Sequence, residues 1–457
     1  VEASPGSVAP RILSRPEHVI SRKNIDPDAL KVLYRLKNNG FVAYLVGGGV
    51  RDLLLARQPK DFDIGTSAHP QQVKKLFRNC FVVGRRFRLA HVRFGRKVVE
   101  VSTFRRAAEP EEGETLIRRD NTFGTPEEDA FRRDFTVNAL FYDIANFSVI
   151  DWVGGLGDLE ARVIRTIGDP GVRLREDPVR MLRAVALAAR LDFTIDRDTA
   201  EAIRALRGEI VRSSPARILE EFYKILRQGR ARRTFEMLHE HGLLAYLLPE
   251  ADRAIASGGE ALLGSLARLD AYRQAGLAGP EDLTNPLLMG SLLVPLGVPL
   301  RRIAGAPPRE REAAEGARPP AREEDVAAEI AELGQEEDEG EGGGLVPLSL
   351  PFARKDLERL RLVLLAQRRL RETHAPASAR RSMLARSYFD EAVRWLEIHG
   401  GEEGRDLAAQ WRQLGSGPVE AATEAEPAPT EPSAGAAKRR RRRRRRRGPR
   451  PEPAAPA

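Results

Sequence analysis

The sequence predicts an α+β head, then an all-helical neck and body, then a disordered basic tail. Three observations carry that reading. Short apolar runs with strand character are confined to the stretch before Asp151-Trp152-Val153-Gly154-Gly155. Helical periodicity takes over after it. The residues from 416 onward are rich in Pro, Ala and Glu and carry an arginine run. At 457 residues the chain has room for two or more domains and a sizeable core. The expected divisions are a mobile leader (1–22), a head (23–155), a helical neck and body (156–300), a disordered linker (301–345), a helical C-terminal region (346–415) and a tail (416–457).

Residues 1–22 lack periodicity. A helix follows, capped by Asp26 with Pro27 at its first position, with Leu30, Leu33 and Tyr34 on one face and Gly40 closing it. The stretch from Phe41 to Asp63, FVAYLVGGGVRDLLLARQPKDFD, organises the head. An apolar strand meets Gly47, Gly48 and Gly49. A short helix carries Arg51 and Asp52, and Asp61 and Asp63 follow on what reads as one strand. Carboxylates two apart in a strand share a face, repel each other, and suit Mg²⁺, which prefers oxygen ligands. Glycines allow a ligand close to the backbone, and amides at a helix start favour phosphate oxygens. A lone GGG is usually a turn and a lone DxD a solvated strand end. Their pairing across a helix-length spacer points to a metal-bound triphosphate.

Pro70 to Phe77 reads as a helix, and Leu89–Phe94 with Val98–Phe104 as a hairpin turning at Gly95-Arg96. Glu100 shares a strand face with Ser102, and is either solvent-facing or a third acid beside the DxD strand. Residues 106–121 read as a polar loop. In Arg132-Arg133-Asp134-Phe135-Thr136-Val137-Asn138 the apolar residues bury the segment, so the polar ones need partners. Arg173 to Arg183 reads as the opening of one long helix with Pro178 in its first turn, where Glu176 and Arg180 are i,i+4 neighbours. Residues 213–250 read as two amphipathic helices joined near Gly229, with a basic cluster at Arg230, Arg232 and Arg233. Periodicity returns at Asp356–Leu370 and Met383–Ile398.

The composition excludes several classes. One cysteine, Cys80, allows no disulfide framework and no cysteine zinc site, and a reducing cytoplasm fits. The most apolar window, Pro286–Leu300, is short of a membrane span and broken by Pro295 and Pro299, and no charged-then-apolar leader opens the chain. The seven histidines are scattered, against a histidine-dependent phosphohydrolase. Residues 438–450 hold eleven positive charges and no acid, so without them the net charge of +9 becomes −2. Such a run reads either as a solubility appendage or as a polyanion-binding arm, the reading we favour since arginine pairs well with phosphate.

GGGVRDLLL…KDFDI resembles the nucleotidyltransferase signature of the polymerase-β superfamily, and its class II members in particular: tRNA CCA-adding enzymes and bacterial poly(A) polymerases. That resemblance implies a polymerase-β-like head with a mixed sheet and helices. It also implies two Mg²⁺ ions on Asp61 and Asp63, with Glu100 and Asp134 competing for the third carboxylate, and ATP as substrate. Gly47, Gly48, Arg51, Arg132 and Arg133 would cradle phosphates. RRDFTVNAL matches a second motif, whose Arg-Asp-Asn set, here including Asn138, handles sugar and phosphates. REDPVRMLRA resembles the motif that reads the incoming base, which assigns that role to Glu176, Asp177, Arg180 and Arg183. ARILEEFYKIL resembles the segment after the neck in bacterial members, and makes the body RNA-binding.

The shared head motifs do not separate the two class II activities. VVGRRFRLAHV, Val82 to Val92, resembles the element marking bacterial poly(A) polymerases, and the arginine arm suits a general RNA strand better than a fixed tRNA shape. The expectation is AMP addition from ATP to RNA 3′ ends (mRNA and small RNA) in bacterial RNA processing and decay, by a cytoplasmic monomer that meets RNA-decay proteins and no membrane. CCA or A addition to tRNA is the alternative, and a non-catalytic RNA-binding protein, which would leave the paired acids idle, is a third.

Overall fold

The structure is a computed structural model that describes residues 9–84, 88–106, 122–277, 279, 282–298, 350–372 and 374–416. The linker expected over 301–345, all but the first residue of the tail, Arg85, Arg86 and positions 107–121 lie outside the described residues.

An eight-stranded mixed sheet forms the head. Its strands are β1 (Arg11–Leu13), β2 (Ala43–Val46), β3 (Asp63–Thr66), β4 (Cys80–Val83), β5 (Leu89–Phe94), β6 (Lys97–Thr103), β7 (Leu140–Asp143) and β8 (Ser148–Asp151). They lie in the order β1-β8-β7-β2-β3-β6-β5-β4. Every pair is antiparallel except β3 with β6, where Ile64 stands opposite Val101. The expected hairpin is β5–β6, with Phe94 facing Lys97. Four helices accompany the sheet: α1 (Pro27–Asn38), α2 (Gly48–Leu54), α3 (Pro70–Leu76) and α4 (Pro126–Phe131).

Asp26 caps α1 as its sequence requires, accepting from the amides of Asp28 and Ala29. The buried face of α1 is Ala29, Val32, Leu33 and Leu36, whereas Tyr34, expected on that face, is exposed and its hydroxyl accepts from Arg22. The leader also departs from expectation. Residues 11–13 add β1 to the sheet edge, the His18 ring pairs with the Phe147 carbonyl at 2.8 Å, and Ile20 is buried in the core. A three-residue strand has no room for a visible period, and its partner β8 lies more than a hundred residues away.

After the sheet come α5 (Gly155–Ala161), α6 (Pro170–Glu176), α7 (Val179–Leu191), α8 (Arg197–Leu206), α9 (Pro215–Arg227) and α10 (Ala231–Glu240). Strand character does not stop entirely at residue 155, since Val163–Ile164 and Thr194–Ile195 form a small parallel pair. The long helix expected from Arg173 is two helices. Asp177 is extended at φ −147° and ψ 91°, because the proline after it disfavours the helical region at that position.

The C-terminal helices fold back on the body. Trp395 lies against Gly290, where a Cβ would meet its ring at 2.5 Å. His399 stacks on Trp395 with ring centroids 4.2 Å apart and shares a hydrogen bond of 2.9 Å with the Ser291 hydroxyl. Burial, helped by the charge of Arg268, pushes the His399 imidazole down to about 3. An imidazole kept neutral by the fold contributes its full stability above the unfolded value near 6.5 and loses it as pH falls toward 3. Between pH 7 and pH 5 that loss is about 2 kcal/mol. Urea midpoints at the two pH values should therefore differ by less in His399→Asn than in the unsubstituted protein. An equal difference in both would exonerate the imidazole.

Candidate active site

Between the sheet and helices α6, α7 and α9 lies a cleft of about 870 Å³, lined by ten basic and five acidic side chains. It brings together Gly47, Gly48, Arg51, Asp63, Arg132, Arg133, Asp134, Asn138, Glu176, Asp177, Arg180 and Arg183. Asp61 and Glu100 stand outside this lining.

Where β2 ends, Gly47 takes φ +75°, a conformation L side chains rarely adopt, and a Cβ there would sit 2.9 Å from the Arg133 guanidinium. Glycine thus admits Arg133 to the floor of the cleft. Arg51 is buried on α2, with Nε and Nη2 donating to Asp52 at 2.8 and 2.7 Å and Nη1 donating to the Asn138 side chain. The second Asp52 oxygen accepts from Arg190 of α7 at 2.8 Å.

Asp129 at the end of α4 holds the arginine pair. One carboxylate oxygen accepts from Arg132 Nε and Nη2 at 2.9 and 2.6 Å, and the other from Arg133 Nε and Nη2 at 3.1 and 2.8 Å. Burial works to raise this carboxyl, but Arg133 and Arg132 prevail and keep it below the usual range. Arg173 of α6 fixes the same turn from outside the head, its Nη2 donating to the carbonyls of Arg132 and Arg133, both at 2.7 Å.

Asp134 is buried, accepts from the Asn138 amide at 3.1 Å and pairs with Arg183 at 2.6 Å. Against burial, Arg183 and these hydrogen bonds hold it below the usual carboxylate range. Glu176 accepts from both Arg173 (2.6 Å) and Arg180 (3.0 Å). The Glu176–Arg180 pair therefore survives, bridging the break between α6 and α7. Asp177 makes two parallel bonds with Arg217 of α9, at 3.0 and 2.8 Å.

Asp63 opens β3, while Asp61 sits just before that strand with its side chain 71% exposed. One step along the parallel β3–β6 register from the Ile64–Val101 pair, Asp63 neighbours Glu100, whose side chain is half exposed and 3.5 Å from His91. Burial, then Glu100 and Asp61, push the Asp63 carboxyl up to about 6, with Arg133 opposing. Asp134 is balanced by an arginine, whereas Asp63 stands among acids that repel it. Among the described residues no three acidic, histidine or cysteine side chains already form a cation cage.

A model described as the poly A polymerase head domain matches residues 43–165, and one described as the probable RNA and SrmB-binding site of polymerase A matches 192–255. Poly(A) polymerase I of Salmonella typhi is 51% identical over 261 residues, which are 55% of this chain and 56% of that protein. Over these stretches the chain is similar to poly(A) polymerases and CCA-adding nucleotidyltransferases. The CCA-adding enzyme of Lactobacillus helveticus is 40% identical over 212 residues (46% of this chain, 52% of that one). The solved Bacillus stearothermophilus CCA-adding enzyme in complex with CTP aligns at TM-score 0.55 and 28% identity, covering 85% of this chain and 82% of that one. The chain spans little more than half the length of the curated relatives it matches.

Sequence reasoning missed Asp129, Arg173, Arg190 and Arg217 as members of the cleft's network. For Asp129 a signal existed, since an acid three and four residues before two arginines sits on their helical face. For Arg173 none did, because its partners are backbone carbonyls forty residues away.

Proposed function

We propose that the protein is a template-independent polynucleotide adenylyltransferase that adds AMP from ATP to RNA 3′ ends. The observation that carries this is the cleft: a glycine turn and a clamped arginine pair face an acid, Asp63, with Glu100 beside it on the sheet and Asp61 just before it. Identity over the shared region favours poly(A) over CCA addition, 51% against 40%. The CCA reading keeps one observation in its favour, the intact Glu176-Asp177-Pro178-Val179-Arg180 motif.

The donor set at the sheet suits magnesium, because a carboxyl held up near 6 by burial and by neighbouring acids is what a hard cation relieves. Asp61, Asp63 and Glu100 would hold the ions. When bound, two Mg²⁺ would supply Lewis-acid activation of the RNA 3′-hydroxyl and charge neutralisation of the departing pyrophosphate. Arg51, Arg132 and Arg133 would bind the triphosphate, and Gly47 and Gly48 would let it approach the backbone. Asn138 and Asp134 would orient the ribose, with Arg183 holding Asp134 ionised. Glu176 and Arg180 present a carboxylate and a planar guanidinium to a base edge, with Asp177 and Arg183 beside them. The 3′-oxygen attacks the α-phosphorus in line, and the bond to the β-phosphate oxygen breaks. Glu100 is favoured over Asp134 as the third carboxylate, since Arg183 already neutralises Asp134.

The domain division, a head up to about residue 155 and a helical RNA-binding body, belongs to this reading, as do a monomeric state, a cytoplasmic location and a role in RNA processing and decay with RNA-decay proteins as partners. Among the described residues no helix is long and apolar enough to cross a membrane. The deciding assay supplies each nucleotide separately to an oligo(A) primer and to tRNA lacking its CCA end. Long ATP-dependent tails on the oligomer are expected. Two C residues and one A, confined to the tRNA, would replace this reading with CCA addition. Deleting residues 437–457 should weaken RNA binding and flatten its salt dependence by roughly 0.7 in log–log slope per lost single-strand phosphate contact. An unchanged slope would assign the arm to another partner.

A further inference from the structure

The two faces of the head sheet are covered differently. On one face, Ala90, Val92, Val99 and Val101 lie in the main core. The other is sealed over β2 and β7 by a second cluster that includes Val46, Phe104, Ala130 and Phe141. Among the described residues that seal ends beyond β3. The outward positions of β6, β5 and β4 form a cross-strand row, in which Glu100 pairs with His91 and His91 with Phe81. The row begins beside Asp63 and runs to the sheet edge. Phe81 is 55% exposed and Val83, on the same strand face, 46%.

We propose that this open half-face is a landing platform for the single-stranded RNA just upstream of its 3′ end, with a base stacked on Phe81 and phosphates held by Arg93 and Arg88. The inference rests on the AMP-transfer reading for which end of the RNA lies at Asp63. Strands are about 4.8 Å apart, so Phe81 stands about 14 Å from the Asp63 position, a few nucleotides along a strand leaving the acids. An exposed phenylalanine on an edge strand is an aggregation liability unless something covers it. Arg93 faces the same side as His91, and Arg88 ends the β4–β5 connection; both are exposed, and among the described residues neither forms an ion pair. Aromatic side chains interleaved with unpaired arginines bind single strands with little regard to sequence, since every base has a π-face. The platform's continuity with the acid row and its positive flank favour RNA over an apolar protein partner.

The test uses the full chain with Phe81→Ala, Phe81→Tyr and Arg93→Ala. Fluorescence anisotropy of a labelled 15-nucleotide oligo(A) should show roughly fivefold or more weaker binding for Phe81→Ala, retained binding for Phe81→Tyr and intermediate weakening for Arg93→Ala. The KM for this primer should rise while the KM for ATP and AMP addition to the dinucleotide ApA, too short to reach Phe81, stay unchanged. Unchanged oligo(A) affinity in Phe81→Ala would overturn the platform and leave the face to a protein partner. An equal loss with ApA would also overturn it, by placing the effect at the reacting end. Since binding is read without turnover, weakened binding with no AMP transfer by the unsubstituted protein would uphold the platform and sink the adenylyltransferase reading alone.

Discussion

Asp63→Asn should leave the protein folded and able to bind RNA, while lowering AMP transfer by at least about 10³-fold. The substitution keeps the size and shape of the side chain at the start of β3 and removes its charge. Asp63 lines the cleft, beside Glu100 on the sheet and close to Asp61. No other acid of the cleft can take over, because Asp134 is committed to Arg183, Glu176 to Arg173 and Arg180, Asp177 to Arg217 and Glu221 to Lys224. Asp61→Asn should show the same loss, although its side chain is far more exposed. Gel-resolved primer extension at saturating ATP, with anisotropy as the binding control, measures both. Near-wild-type extension by the two variants would remove the acids from the mechanism.

The second large effect is expected at Asp129. Its carboxylate is almost wholly buried and satisfies four donors from Arg132 and Arg133. Asp129→Asn removes the shared counter-charge and leaves two guanidinium groups facing each other in a poorly hydrated turn. Breaking a buried pair from one side typically costs about 3–5 kcal/mol. A shift of that size in the urea midpoint is expected, together with at least a tenfold rise in the KM for ATP, because Arg133 would lose its seat beneath Gly47. A loss of stability with an unchanged KM would show that the arginines need no clamp to meet the triphosphate.

What could be read from the residue order divides along a physical line. Features set by local rules were legible: the Asp26 cap, the turn at Gly95-Arg96 and the glycine entry to α2 follow from spacing and backbone freedom. The break at Pro178 was present in the sequence but was overruled by the helical period on either side. Features set by distant partners were not legible. β1 exists because β8 offers an edge, and Arg173 matters because two carbonyls forty residues before it point at it. The motifs named most of the residues lining the cleft; the side chains that hold those residues in place came from the fold.

The hold of Arg173 on the Arg132 and Arg133 carbonyls, with Arg183 on Asp134 and Arg190 on Asp52, limits how this lineage can recombine. A head transplanted onto a helical body without these arginines would keep every motif up to residue 155 and still lose the three guanidinium groups that shape the floor of its cleft. Exchange with such a body should therefore succeed only at crossover points after Arg190, so that head and neck travel as one cassette. A nascent chain would likewise become competent only once α7 had been synthesised and docked.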